Sequence, residues 1–195
     1  MVVSNKDKII IGIDPGIRNT GWGIIRHVQN KIEHVEHGVI VPKPNENDAI
    51  RLHFISVNLE KIINKYNPNI AVIEKIFVSA SGESALKLGM ARGVALNILA
   101  SKKTIFIKEL AARNVKKSLT GTGSADKKQI KFMVEKLLGQ SVKKLDASDA
   151  LAIAIAGFNS LNEKLDPYNL IVNSKNKSIN NNLNNAIRRA LEKNK

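Results

Sequence analysis

Cysteine is absent from this chain of 195 residues, which excludes disulfides, thiol catalysis and any zinc site built on thiolates. Aromatic residues are scarce, at 4%, so a ring that falls in a loop stands out. No apolar run approaches the roughly 20 residues that cross a bilayer, and the opening MVVSNKDK has no secretory apolar stretch. A cytoplasmic protein without membrane contact is expected. Acid is also in short supply: 17 Asp and Glu face 31 Lys and Arg, a formal net charge of +14 and a pI near 10.0. Such an excess attracts polyanions, and nucleic acid is the usual one. Charge alone names a partner without separating an enzyme from an architectural binder.

What is present is the material of one folded core. Hydrophobic residues make up 43% of the chain against 25% charged, and the length suits a single α/β domain better than two. Lys8 to Ile13 is almost all β-branched and apolar, the pattern of a strand covered on both faces. Trp22 to Val28 and Ile32 to Val41 read as two more strands turning at Gln29-Asn30, so the first three runs form an antiparallel meander. Apolar residues at helical spacing (Ile50, Phe54, Val57, Ile62) predict a helix from Asp48 to Tyr66, stopped by Asn67-Pro68-Asn69. A short buried strand, Ile70 to Ile73, follows and ends on Glu74. The remaining pattern predicts a helix from about Glu83 to Ala100, a strand from Thr104 to Lys108, helices at Glu109 to Lys117 and Ser124 to Leu138, and a last helix from Ala147 to Ser160 opened by Asp146. The expected class is α/β: a five-stranded mixed sheet, meander plus parallel strands, flanked by helices over residues 1–160. Residues 161–195 are Asn-rich and polar, and are expected to form a flexible basic extension.

Four acids fall where this topology draws them together. A right-handed crossover after the meander lays the Ile70 strand parallel to the Ile9 strand. Asp14 and Glu74 then end neighbouring strands at the edge where α/β sheets bind ligands. Strands lie about 4.8 Å apart, close enough for two carboxylates to repel unless cations stand between them; two-metal sites hold their ions about 3.5–4 Å apart. In LDASDALAIA, Asp146 and Asp149 share one face at a helix start, and docking that end at the sheet edge delivers further carboxylates. Oxygen ligands without sulfur suit Mg²⁺ or Mn²⁺. Taken singly, Asp-Pro-Gly is a common turn, Glu74 a solvated strand end, Asp146 an N-cap and Asp149 a charge on the helix dipole. Together, three unrelated segments place acids at one edge of a strongly cationic chain.

The blocks IGIDPGIRNTGWGII, AVIEKIFVSASGESALKLGMARGVAL, AARNVKKSLTGTGSADKKQI and LDASDALAIAIA resemble the RuvC-type Holliday junction resolvases, a branch of the ribonuclease H-like superfamily. That resemblance covers residues 8 to about 160. It implies a ribonuclease H-like fold and a homodimeric, Mg²⁺-dependent endonuclease of DNA recombination and repair. Such an enzyme nicks a four-way junction symmetrically and leaves 5′-phosphate and 3′-hydroxyl ends, with a branch-migration helicase complex of the RuvA–RuvB type as a partner. The family's metal-binding acids fall on Asp14, Glu74, Asp146 and Asp149, holding two Mg²⁺ per subunit with Mn²⁺ as a substitute. Some members carry His where Asp146 stands. Phosphate contacts fall on Arg113, Lys116 and Lys127, within a stretch from Lys102 to Lys144 where twelve basic residues oppose three acidic ones. Phe77 takes the place of an aromatic that stacks on a base at the crossover.

Other residues are less committed. Trp22 lies within a strand and reads as packing. Ala85, Gly89 and Gly93 make a smooth stripe beside Leu86 and Met90, suited either to a second copy or to an intramolecular neighbour. His27, His34, His37 and His53 fall in no motif. An actin- or hexokinase-type ATPase also opens with strand, Asp and glycine turn, but requires a second such unit. A silent junction-binding scaffold and a ribonuclease H-like enzyme acting on RNA remain as alternatives.

Overall fold

The computed structural model describes residues 7–29, 31–75 and 82–162. Two compact units divide the chain, Met1–Phe158 and Asn159–Lys195. The first opens with β1 (Lys8–Asp14), β2 (Thr20–Val28) and β3 (Lys31–Ile40), followed by α1 (Asp48–Tyr66) and β4 (Ile70–Lys75). Then come α2 (Gly82–Ser101), β5 (Phe106–Ala111), α3 (Ala112–Thr120), α4 (Lys127–Leu138) and α5 (Leu145–Asn162). The strands form one sheet in the order β3-β2-β1-β4-β5. β1 pairs antiparallel with β2 and parallel with β4, and β4 is parallel to β5. The mixed sheet and the parallel pairing of the first and fourth strands are therefore as the sequence pattern predicts.

Two faces of the sheet are filled differently. Ile11, Ile13, Ile24, Ala71 and Ile73 meet Ile55, Leu59 and Ile63 of α1 and Ala95 and Leu99 of α2 in an aliphatic core. Trp22 belongs to this side, its ring 6.1 Å from that of Tyr66, which is packing. Side chains alternate along a strand, so Gly12 and Asp14 of β1, Gly21 and Gly23 of β2, and Val72 and Glu74 of β4 face the other way, toward α5.

The glycines explain how α5 seats there. A Cβ on Gly12 would stand 2.0 Å from the Ala150 carbonyl oxygen, one on Gly21 2.1 Å from that of Asp146, and one on Gly23 2.6 Å from Leu151 Cδ2. Gly12 and Gly23 are cross-strand partners, as are Asp14 and Gly21, so the bare patch is continuous across two strands. Gly157 answers from the helix, where a Cβ would lie 2.2 Å from Val72 Cγ2. Every residue of α5 from Ala150 to Ala156 is buried, as expected of a helix apolar all round.

Several boundaries differ from the pattern. β2 starts at Thr20 rather than Trp22, and α5 runs from Leu145 to Asn162 rather than Ala147 to Ser160, so that Asp146 lies inside its first turn instead of opening it. β5 starts at Phe106 and runs on to Ala111 rather than spanning Thr104 to Lys108, because Glu109, Leu110 and Ala111 pair with Ile73, Glu74 and Lys75. That ladder outweighs the helical preference of Glu, Leu and Ala. α3 accordingly begins at Ala112. α4 begins at Lys127 rather than Ser124: Asp126 and Gln129 close a reciprocal capping box. On the outer strand β3, pairing jumps from Ile25↔His34 to Ile24↔Glu36, a β-bulge that leaves Val35 as the extra residue.

Candidate active site

Asp14 is the last residue of β1, and Glu74 lies one step beyond the parallel pair Ile13↔Ile73. The two carboxylates therefore leave adjacent strand ends toward the same face. Asp146 and Asp149 lie at the N-terminal end of α5, delivered there by the close seat of that helix on Gly21. Asp14, Glu74 and Asp149 line a cavity of about 270 Å³ together with Lys116, Lys127, Val115 and Ile130. Asp14 and Asp146 line an adjoining cavity of about 420 Å³ beneath the Pro15 to Asn19 turn. Asp14 is common to both.

Electrostatics mark the same residue. Burial, then the charges of Glu74, Asp149 and Asp146, push the Asp14 carboxyl up to about 7, against the weaker opposing pull of Lys127. Burial and Asp149 also raise Glu74, while Lys127, a hydrogen bond with Asp14 and Lys116 pull it down. Among the described residues no three acids or histidines are gathered into one ligand cluster. Each acid has another partner: Asp14 and Glu74 share a hydrogen bond, Asn19 Nδ2 donates to Asp146 Oδ2 at 3.3 Å, and Lys127 Nζ lies 3.1 Å from Asp149 Oδ2.

Two positioning groups had no signal in the sequence pattern. Asn19 ties the β1–β2 turn to the first turn of α5. Arg92 of α2 donates from Nε to the Glu74 carbonyl at 3.3 Å and pairs with Glu109, fastening the ends of β4 and β5. The expected phosphate contacts separate: Lys116 and Lys127 border the acids, whereas Arg113 does not line that cavity. It lies across the turn before α4, where a Cβ on Gly123 would be 2.6 Å from its Cγ. Phe77 lies outside the described residues, as does the Asn-rich stretch from 163 on. On α2, Gly89 and Gly93 have nothing within 4 Å of a Cβ position and are exposed, whereas Ala85 of the same stripe is half-buried.

A family model described as crossover junction endodeoxyribonuclease RuvC matches residues 10–157. The chain belongs to the RuvC family. It is 44% identical over 153 residues to the RuvC crossover junction endodeoxyribonuclease of Hyphomonas neptunium, covering 78% of this chain and 91% of that one. With its counterpart from Gluconobacter oxydans it shares 46% over 147 residues, 75% of this chain and 87% of the other. Among solved structures, Thermus thermophilus RuvC in complex with Holliday junction substrate superposes with a TM-score of 0.70 at 27% identity, covering 76% of this chain and 92% of that chain. The fold is that of the ribonuclease H-like resolvases, and all four acids lie inside the matched span.

RuvC-family nucleases use divalent metal ions, and the acids fit such a group by their chemistry. They offer only carboxylate oxygens, the ligands of hard cations. Burial and mutual repulsion raise both Asp14 and Glu74 above the ordinary carboxylate range, a cost that positive charge between them relieves.

Proposed function

We propose that this protein resolves four-way DNA junctions, cutting two opposed strands symmetrically by hydrolysis that leaves 5′-phosphate and 3′-hydroxyl ends. The observation that carries the reading is the meeting of Asp14 with Glu74, Asp146 and Asp149 at one sheet edge, beside Lys116 and Lys127, in a chain of the RuvC family. Two Mg²⁺ ions, with Mn²⁺ as a substitute, would be held by these four acids and supply, when bound, Lewis acidity toward the attacking water and the leaving 3′ oxygen.

The chain's own groups do the rest. Asp14, common to both cavities, is the acid suited to serve two ions. Lys127 sets the Asp149 carboxylate and, with Lys116, offers charge to the scissile strand; Arg113 extends that contact along α3, and Phe77 stacks on a base at the crossover. Residues 1–160 make the nuclease domain, with 161–195 a basic extension. Two copies joined through the α2 stripe present two such sites to a twofold-symmetric junction. The setting is recombination and repair in the cytoplasm, with a helicase complex of the RuvA–RuvB type.

The decisive assay offers labelled four-way junction, linear duplex and RNA–DNA hybrid with Mg²⁺, beside an Asp14→Asn protein. Paired nicks confined to the junction are expected from the wild type, with binding but loss of cutting by roughly a thousandfold or more in the variant, since the charge that holds the ions is removed. Equal cutting of the hybrid overturns the reading.

A further inference from the structure

Lys116 and Lys127 supply positive charge on the α3–α4 side of the acids. The opposite side is formed by the turn Pro15 to Asn19, and Arg18 stands on it, exposed. Among the described residues Arg18 makes no hydrogen bond or ion pair. It borders two cavities at once. One is the space of about 420 Å³ that reaches Asp14 and Asp146. The other, of about 430 Å³, is lined by Arg18, Asn19, Val41, Pro42, Pro44 and Arg51.

The nearby cations are not equivalent. Lys87 is committed to Glu83 at 2.8 Å and to Asp48 at 3.8 Å. Arg51, its side chain 11% exposed, lies 3.6 Å from Asp48 and donates from Nη2 to the Ile17 carbonyl at 2.9 Å. It braces the turn from within, and its Nε is a buried donor without an acceptor. The Arg51 guanidinium thus underlies the cavity with its charge shared with Asp48, while Arg18, without a hydrogen bond or ion pair among the described residues, stands at its mouth. A guanidinium fork is matched to the paired oxygens of a phosphodiester.

We propose that the cavity between Arg18 and Arg51 binds a backbone phosphodiester of the cut strand, flanking the scissile phosphate on the side away from Lys116 and Lys127. Arg18 makes the contact, and Arg51 holds the turn. The strand then runs from Arg18, past the acids, to the lysines, cations at both ends balancing the carboxylates between. Asn19, next to Arg18 and bonded to Asp146, links this grip to the site. The inference rests on the nuclease reading, since it concerns the strand to be cut.

Binding is compared for Asp14→Asn and for Asp14→Asn with Arg18→Ala, on four-way junction and on linear duplex, across a range of KCl concentrations. Removing one phosphate contact is expected to flatten the log–log salt slope by about 0.9 and to weaken binding roughly tenfold, as for one charge-assisted hydrogen bond. Arg18→Lys should recover the slope but not all of the affinity. A neutral methylphosphonate moved along the cut strand should reveal one flanking position whose loss is felt by the Arg18 protein and not by Arg18→Ala. Equal slopes, or a methylphosphonate effect that Arg18→Ala leaves unchanged at every position, overturn the proposal. Wild-type protein that binds junction yet never nicks it would end the nuclease reading instead, with the slope comparison still deciding Arg18.

Discussion

Asp14 carries a proton near neutrality that an ordinary aspartate has lost. Its folded value of about 7 stands above the usual 3.8, so between those limits the folded chain binds a proton that the unfolded chain does not. Stability in chelator therefore falls as pH rises from about 4 to about 7 and stays low above it. The ceiling is about three pK units at 1.36 kcal/mol each, so an effect on the order of 2–4 kcal/mol is expected. Glu74 is shifted in the same direction. Thermal melts across this window should show the decline, and Asp14→Asn should flatten most of it and melt higher than the wild type at about pH 8. Divalent ions added at that pH should raise the wild-type melting temperature and leave the variant nearly unmoved.

Among the elements, α5 decides whether the acids meet. Gly21 lies under the Asp146 backbone, where even one methyl group would collide with main chain. Overpacking of this kind costs about 1–3 kcal/mol. Gly21→Ala is expected to lose that much stability by denaturant titration. Single-turnover cutting at saturating Mg²⁺ should fall at least tenfold, because the displaced residue carries a proposed ligand. Much of this arrangement was legible from the chain alone. The β-branched run into Asp14, and a helix between two buried strands, were enough to place Glu74 beside it. Less visible was the reason for the glycines after Asp14: a linear pattern shows small residues but not which helix presses on them. The β5–α3 junction departs from its local pattern for a related reason, since Glu109, Leu110 and Ala111 prefer helix locally and are drawn into strand by a partner 36 residues earlier. The Asp126 and Gln129 capping box, by contrast, stood in the sequence and could have fixed the start of α4. Asn19 and Arg92 gave no linear signal, because their importance lies in contacts across the fold.

For the whole molecule, the exposed stripe on α2 is the feature that bears on assembly. Leu86 is 64% exposed and Met90 39%, beside two glycines that present bare backbone. Leu86→Glu is expected to break the proposed dimer, so that wild type sediments as a dimer and the variant as a monomer in analytical ultracentrifugation, and to replace paired nicks by single, uncoupled ones on a cruciform plasmid. The chain's melting temperature should be little changed, because Leu86 is mostly exposed.

The bulge at Val35 constrains how copies can meet. An outermost strand is an open row of main-chain donors and acceptors, and a flat one invites a neighbouring molecule to continue the ladder. Here the row is broken in mid-strand and carries Lys31, Glu33, His34, Glu36 and His37 along its length. A foreign strand laid along it would lose register within a few residues and strand charged groups against its own backbone. Open-ended stacking of sheets through this edge is thereby disfavoured, which leaves the proposed pairing through α2 uncontested from this side.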